Sequence, residues 1–214
     1  MKVESLNARG LNNSTKRKTL LHWIQDKHID IVCLQETFFT VNTVHLLDED
    51  WDGKTLHAPS PSSHSKGVSI LFKKDLDIKI IDHYATQDGR SLLVNFNYHD
   101  QNYCITNLYS PNDQTYRIDY LNKMKKWISD KCSNMNCQII CGDFNCSLSN
   151  DDRLVPNIDR SRPQFSKFID YLDLTDMYKL HNPHKKGFTY SNKKGDSQSR
   201  IDYFFLHTIF SWSE

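Results

Sequence analysis

Ile139-Ile140-Cys141-Gly142-Asp143-Phe144-Asn145 decides how the chain is read. Its first three residues are apolar and its isoleucines β-branched, which marks the end of a buried strand. Gly142 allows a sharp backbone turn. Asp143 and Asn145 are two residues apart, so they share a side if the strand geometry continues, with Phe144 turned into the core. A carboxylate and a carboxamide then stand together at the C-terminal edge of a sheet. The carboxylate can accept a proton from water, and the amide can orient that water or a phosphate. Taken alone, Gly-Asp-x-Asn is more often a turn than a site; its neighbours decide between the two.

Residues 138–141 are the strand itself. Upstream, Pro111-Asn112-Asp113 breaks the chain and starts a helix to about residue 131, with Tyr120, Leu121, Met124, Trp127 and Ile128 as its apolar stripe. Strands are predicted over 67–73, 78–83, 91–98 and 103–109, with Gln87-Asp88-Gly89-Arg90 as a hairpin turn. Nearer the start, strands over 2–7 and 29–35 flank a helix over 15–27. Ser14 is its expected cap, and Leu20, Leu21, Trp23 and Ile24 are expected to face inward. Residues 37–51 read as a polar connection with a helical turn, and 57–66 as an exposed loop. Downstream come a polar loop over 148–161, a helix opened by Pro163 and ending near Leu172, and final strands over 188–191 and 200–206. The class is α/β, with strands in two packed sheets and helices outside.

Four further stretches accompany Gly142-Asp143-Phe144-Asn145. Leu6-Asn7-Ala8-Arg9-Gly10-Leu11 opens the chain, and Cys33-Leu34-Gln35-Glu36-Thr37 ends an apolar run. Asn107-Leu108-Tyr109-Ser110-Pro111-Asn112 ends another, and Ser199-Arg200-Ile201-Asp202-Tyr203 begins the last. In this order and at these intervals the set resembles the endonuclease/exonuclease/phosphatase superfamily. The likeness is greatest to the apurinic-endonuclease-like endonuclease domain of LINE-type retrotransposons, and it extends over residues 6–206. It implies a four-layer α/β sandwich of two packed mixed β-sheets with helices outside and the active site at one edge.

A carboxylate placed where a buried strand emerges, as Glu36 is, is costly unless it is paired or bound to a cation. Mg²⁺ takes such oxygen ligands and keeps several waters, and Mn²⁺ is served by the same donors. The resemblance makes Glu36 the metal ligand, assisted by Asn7. It makes Asp143 the base, with Asn7, Asn145 and Tyr109 donating to the phosphate, and gives Asn107 and Asn112 supporting or phosphate-binding roles. Thr189 falls where LINE-type proteins contact DNA. The implied reaction is metal-assisted hydrolysis of a DNA phosphodiester, leaving the 3′-hydroxyl that primes reverse transcription by a downstream reverse transcriptase. The expected alternatives are a catalytically dead nucleic-acid-binding or interaction domain, and a phosphatase of the same superfamily.

Asp202 breaks the pattern. The resemblance gives that acid the task of supporting a histidine in a later Ser-Asp-His motif, and none follows Asp202 in this sequence. His207 is odd-spaced from Asp202 on a strand and would face the opposite side. The expectation is therefore one domain over residues 1–214, incomplete at its C-terminus, with the last strand missing, an open sheet edge and impaired activity.

The 214 residues suit one large domain. A net charge of +1 argues against a dedicated polybasic binder. Lys16-Arg17-Lys18, Lys73-Lys74, Lys185-Lys186 and Lys193-Lys194 read as solvated surface. The six cysteines lack paired C-x-x-C knuckles and read as free thiols. A reducing, intracellular setting, nuclear or cytoplasmic, is expected from them. No signal peptide and no membrane-spanning run are read. A monomer acting on DNA is expected.

Overall fold

The apolar runs of the sequence become strands. The structure, a computed structural model, describes residues 1–132 and 135–208. The first half runs β1 (Val3–Asn7), α1 (Ser14–Asp26), β2 (Ile31–Gln35), α2 (His45–Asp50), β3 (Gly53–Ala58), β4 (Val68–Lys73), β5 (Ile78–Ala85), β6 (Ser91–Tyr98) and β7 (Gln101–Tyr109). The second half runs α3 (Gln114–Lys131), β8 (Cys137–Asp143), α4 (Arg162–Tyr171), β9 (Thr175–Asp176), α5 (Met177–His181), β10 (Tyr190–Ser191), β11 (Gln198–Ser199) and β12 (Asp202–Thr208).

One sheet has the order β1-β2-β4-β3 and the other β5-β6-β7-β8-β12-β9, with β10 and β11 forming a small hairpin. Both sheets are mixed: β1–β2 and β7–β8 are parallel, and the remaining pairs are antiparallel. Ile31, Cys33, Ile70 and Phe72 from one sheet meet Val94, Phe96, Ile105 and Ile139 from the other. The outer face of the larger sheet is covered by Tyr120, Leu121 and Ile128 of α3 and by Phe165 and Phe168 of α4, which pack around Phe144 and Phe205. Leu21 and Ile24 of α1 and Leu47 of α2 cover the smaller sheet. The expected four layers are therefore present. Among the described residues β1 pairs only with β2, so it is an edge strand. No described helix is long and apolar enough to cross a membrane.

Several local readings need correction. Asn13, not Ser14, caps α1: its side chain accepts from the Lys16 N–H at 2.9 Å. Trp23 lies outside, at 41 % exposure, because the buried face of α1 is narrowed to Arg17, Leu21 and Ile24. Arg17 is no solvated charge either; its Nε lies 2.6 Å from Asp50 Oδ2. β3 replaces part of an expected loop. Cys104 and Cys132 are paired in a disulfide, where free thiols were expected. The end of α3 lies over β7 and brings their Cα atoms to 6.0 Å, well within bridging reach. Cys33, Cys137, Cys141 and Cys146 remain free.

Gly142 has a positive φ of 136°, and a Cβ there would overlap the carbonyl oxygen of Leu108 on the parallel neighbour β7. Gly142→Ala is expected to cost about 2–3 kcal/mol in a urea melt. A change below about 0.5 kcal/mol, the range of ordinary surface substitutions, would contradict the close approach.

Candidate active site

The register sets the site. Asn7 pairs with Gln35 at the end of β1–β2, and Tyr109 pairs with Asp143 at the end of β7–β8. Asp143 also faces Asp202 across the antiparallel β8–β12 ladder. The C-terminal ends of the parallel strands thus open to the same edge as the start of β12. Glu36, just past β2, has a left-handed φ of 50° that turns the chain out of the strand.

Asn7 joins the two sheets. Its Nδ2 donates to Glu36 Oε1 at 3.1 Å and to Asp143 Oδ2 at 3.0 Å. Asn145 reaches Asp143 by a turn and not by continued strand: its φ is 52°, and its backbone N–H donates to Asp143 Oδ1 at 2.9 Å. Its Nδ2 is spent on the Ser110 carbonyl at 2.8 Å, so Asn145 first serves to brace the carboxylate. Tyr109 is nearly buried, with the Arg90 guanidinium 5.0 Å from its ring centre. Asn7, Arg9, Asp143, Thr189, Ile201 and Asp202 line one cavity of about 250 Å³. Thr189 Oγ1 accepts from the N–H groups of Ile201 and Asp202, both at 3.1 Å, and so ties the β10 side of this wall to the start of β12.

Acidic crowding dominates the electrostatics. Burial pushes the Asp143 carboxyl up to about 7, reinforced by Asp202 and opposed by the hydrogen bonds from Asn7 and Asn145, with Glu36 adding to the rise. Burial also raises Asp202, with Thr189 and Arg9 acting the other way. The Tyr109 hydroxyl is raised by burial and then by the Glu36 carboxylate beside it, so it stays protonated and able to donate.

Two of the expected residues stand elsewhere. Asn107 is fully buried, and its amide is consumed between the sheets, with Nδ2 donating to Leu34 O at 2.9 Å and Ser69 O at 3.0 Å. It is therefore no phosphate donor. Asn112 is exposed beyond β7, and its carbonyl accepts from Arg117 at 2.6 Å. His207 pairs with Gln138 at the far end of β8, with Nδ1 3.0 Å from the Asp173 carbonyl oxygen, and does not reach the site.

Sequence reasoning also missed a buried anchor. The Arg200 guanidinium lies 2.9 Å from Asp152 Oδ1 and 2.6 Å from Asp176 Oδ2, pinning the loop after β8 and the start of α5 to the strand that carries Asp202. No local pattern signalled it: Arg200 stands between Ser199 and Ile201, just before β12.

Fold and site together define an α/β sandwich with an acidic cluster at the shared edge of its two sheets. Residues 3–211 match the Endonuclease/Exonuclease/phosphatase family, and the chain belongs to it. It is 25 % identical over 209 residues to the Transposon TX1 uncharacterized 149 kDa protein of Xenopus laevis, covering 96 % of this chain and 16 % of that protein. It is 27 % identical over 177 residues to an exodeoxyribonuclease of Bacillus subtilis, covering 78 % of this chain and 67 % of the relative. The fold matches the catalytic domain of Xenopus laevis APE2 with a TM-score of 0.77 at 21 % identity, covering 97 % of this chain and 82 % of that one.

Proposed function

We propose that the chain is a divalent-metal-dependent endonuclease that hydrolyses DNA phosphodiesters and leaves a 3′-hydroxyl. The observation that carries this reading is the Asn7 bridge, which gathers Glu36 from one sheet and Asp143 from the other around one amide. Family membership and the transposon and exodeoxyribonuclease relatives support it.

Each group has a task. Asp143 accepts the proton of the attacking water, and Asn145 holds the carboxylate in place for it. The Tyr109 hydroxyl donates to the phosphate oxygens as negative charge develops, while the two N–H groups of the Asn7 amide hold Glu36 and Asp143 in place. Arg9 and Thr189 are exposed and line the cavity, where they would face the DNA strand. Among the described residues no three acidic, histidine or cysteine side chains converge as a ready-made ion cage. The donors present still suit a hard cation, because Glu36 and Asn7 supply oxygens and leave room for water ligands. They would hold Mg²⁺ or Mn²⁺, whose chemistry there is polarisation of a phosphoryl oxygen. In a transposon context the released 3′-hydroxyl would prime reverse transcription.

Supercoiled plasmid incubated with the chain and Mg²⁺ is expected to become nicked, and EDTA is expected to abolish the nicking. A polymerase should extend the nicks without prior end repair. Absence of nicking with either Mg²⁺ or Mn²⁺ would overturn the reading. Preference for a soluble phosphate monoester would assign the chain to the phosphatases of the family.

A further inference from the structure

The β2–β4 ladder ends at the pair Leu34–Ser69. Hydrogen bonding resumes with Thr37 N–H to Gly67 O at 3.0 Å and Phe38 N–H to Lys66 O at 2.9 Å. From one junction to the next β2 advances by three residues and β4 by two, so one extra residue bulges from the β2 side. Glu36 lies in that bulge, with its left-handed φ of 50°.

The bulge is filled from the opposite sheet. Asn107 Nδ2 donates to both carbonyls of the last ladder pair, Leu34 and Ser69. Asn107 Oδ1 accepts from Gln35 Nε2 at 2.7 Å, and Gln35 Nε2 also reaches Ser5 Oγ on β1 at 3.0 Å. Both amides are fully buried in an otherwise apolar layer, and among the described residues Gln35 Oε1 has no hydrogen-bond partner. Such a node is expensive for packing alone. Asn107 also lies two residues before Tyr109 on the same strand face. One amide thus touches the bulge that carries Glu36 and stands beneath Tyr109.

We propose that Asn107 and Gln35 are positioning residues, a clamp that holds the Glu36 bulge open and sets Glu36 against Tyr109 and Asp143. As a statement about catalysis this rests on the nuclease reading; as a statement about the bulge it does not. Three variants test it: Asn107→Leu, Gln35→Leu/Asn107→Leu and Gln35→Met. Melting temperature, kcat and KM on plasmid, and amide exchange of Gly10 are measured. The Gly10 N–H donates to Glu36 O at 2.7 Å and reports on the bulge without any catalysis.

Asn107→Leu takes the side-chain donor from the Leu34 and Ser69 carbonyls and one of three acceptors from Gln35 Nε2, and lowers the melting temperature. The double variant removes the Gln35 amide as well and leaves only the two carbonyls short of a donor, so its melting temperature recovers part of the loss. In both, kcat stays about 100-fold down with KM nearly unchanged, because about 1 Å of misplacement costs that much. Gly10 protection stays low in both. Gln35→Met keeps the two Asn107 donations and is expected to lose about tenfold in kcat while remaining folded. Recovery of kcat and Gly10 protection together with stability in the double variant would reduce the clamp to core packing. Full kcat and Gly10 protection in Gln35→Met would do the same. If the parent does not cut DNA, the nuclease reading fails, and Gly10 exchange alone decides the clamp.

Discussion

Asp143→Asn is expected to lower plasmid nicking by about 10²–10⁴-fold while the protein melts no lower than the parent. The rate loss follows from removing the group that accepts the water proton. The unchanged or raised melting temperature follows from the site itself. Asp143 is 4 % exposed and faces the carboxylates of Asp202 and Glu36, so its ionised form is disfavoured where it stands. A neutral amide of the same shape removes that charge from the cluster. Activity lost together with stability would mean that the carboxylate holds the fold and not the chemistry. Nicking within about tenfold of the parent would move the base to another residue.

Arg200→Met is expected to destabilise the fold by about 3–5 kcal/mol, because it leaves buried carboxylates without their cation. For a chain of this size that corresponds to roughly 6–20 °C in melting temperature. Both Arg200 and Asp152 are almost wholly buried, and the guanidinium also stands 4.4 Å from the ring centre of Tyr203. Adding Asp152→Asn to Arg200→Met should recover part of the loss, since the stranded charge and not the missing contact dominates. A single-variant effect below about 1 kcal/mol, the scale of an exposed pair, would show that water reaches the cluster.

The parts of the fold legible in sequence were those buried on both faces. β2 and β8 carry apolar residues on nearly every position, and the helical stripe of α3 was read almost residue by residue. Edge and short elements carried less signal. β3 is mostly exposed or half-buried, and β9 and β11 are two residues each, β9 held by pairing with the distant β12 and β11 by its hairpin with β10. Asn7, Glu36, Asp143 and Asn145, which the structure brings together, could be singled out in sequence because each sits at or just past the end of a strand-like run. Of the two roles offered for Asn107, phosphate donor fails because its run ends two residues later, which leaves it inside the sandwich, where a supporting role is open to it. Arg200, Asp152 and Asp176 gave no local pattern at all, since their meaning lies in contacts 24 and 48 residues apart. The Cys104–Cys132 pairing likewise depends on where α3 ends over β7, which spacing alone does not reveal.

The Asn7 bridge has a temporal consequence. It links residues 136 positions apart, and Asp202 joins the same cluster only from the final strand. At about 5–20 residues per second, translation separates the emergence of Asn7 from that of Asp202 by roughly 10–40 s. Until β12 emerges, Asp143 lacks the carboxylate that faces it across the β8–β12 ladder. On the proposed reading the centre comes into being only once β12 has left the ribosome, and a product terminated before it would lack Asp202.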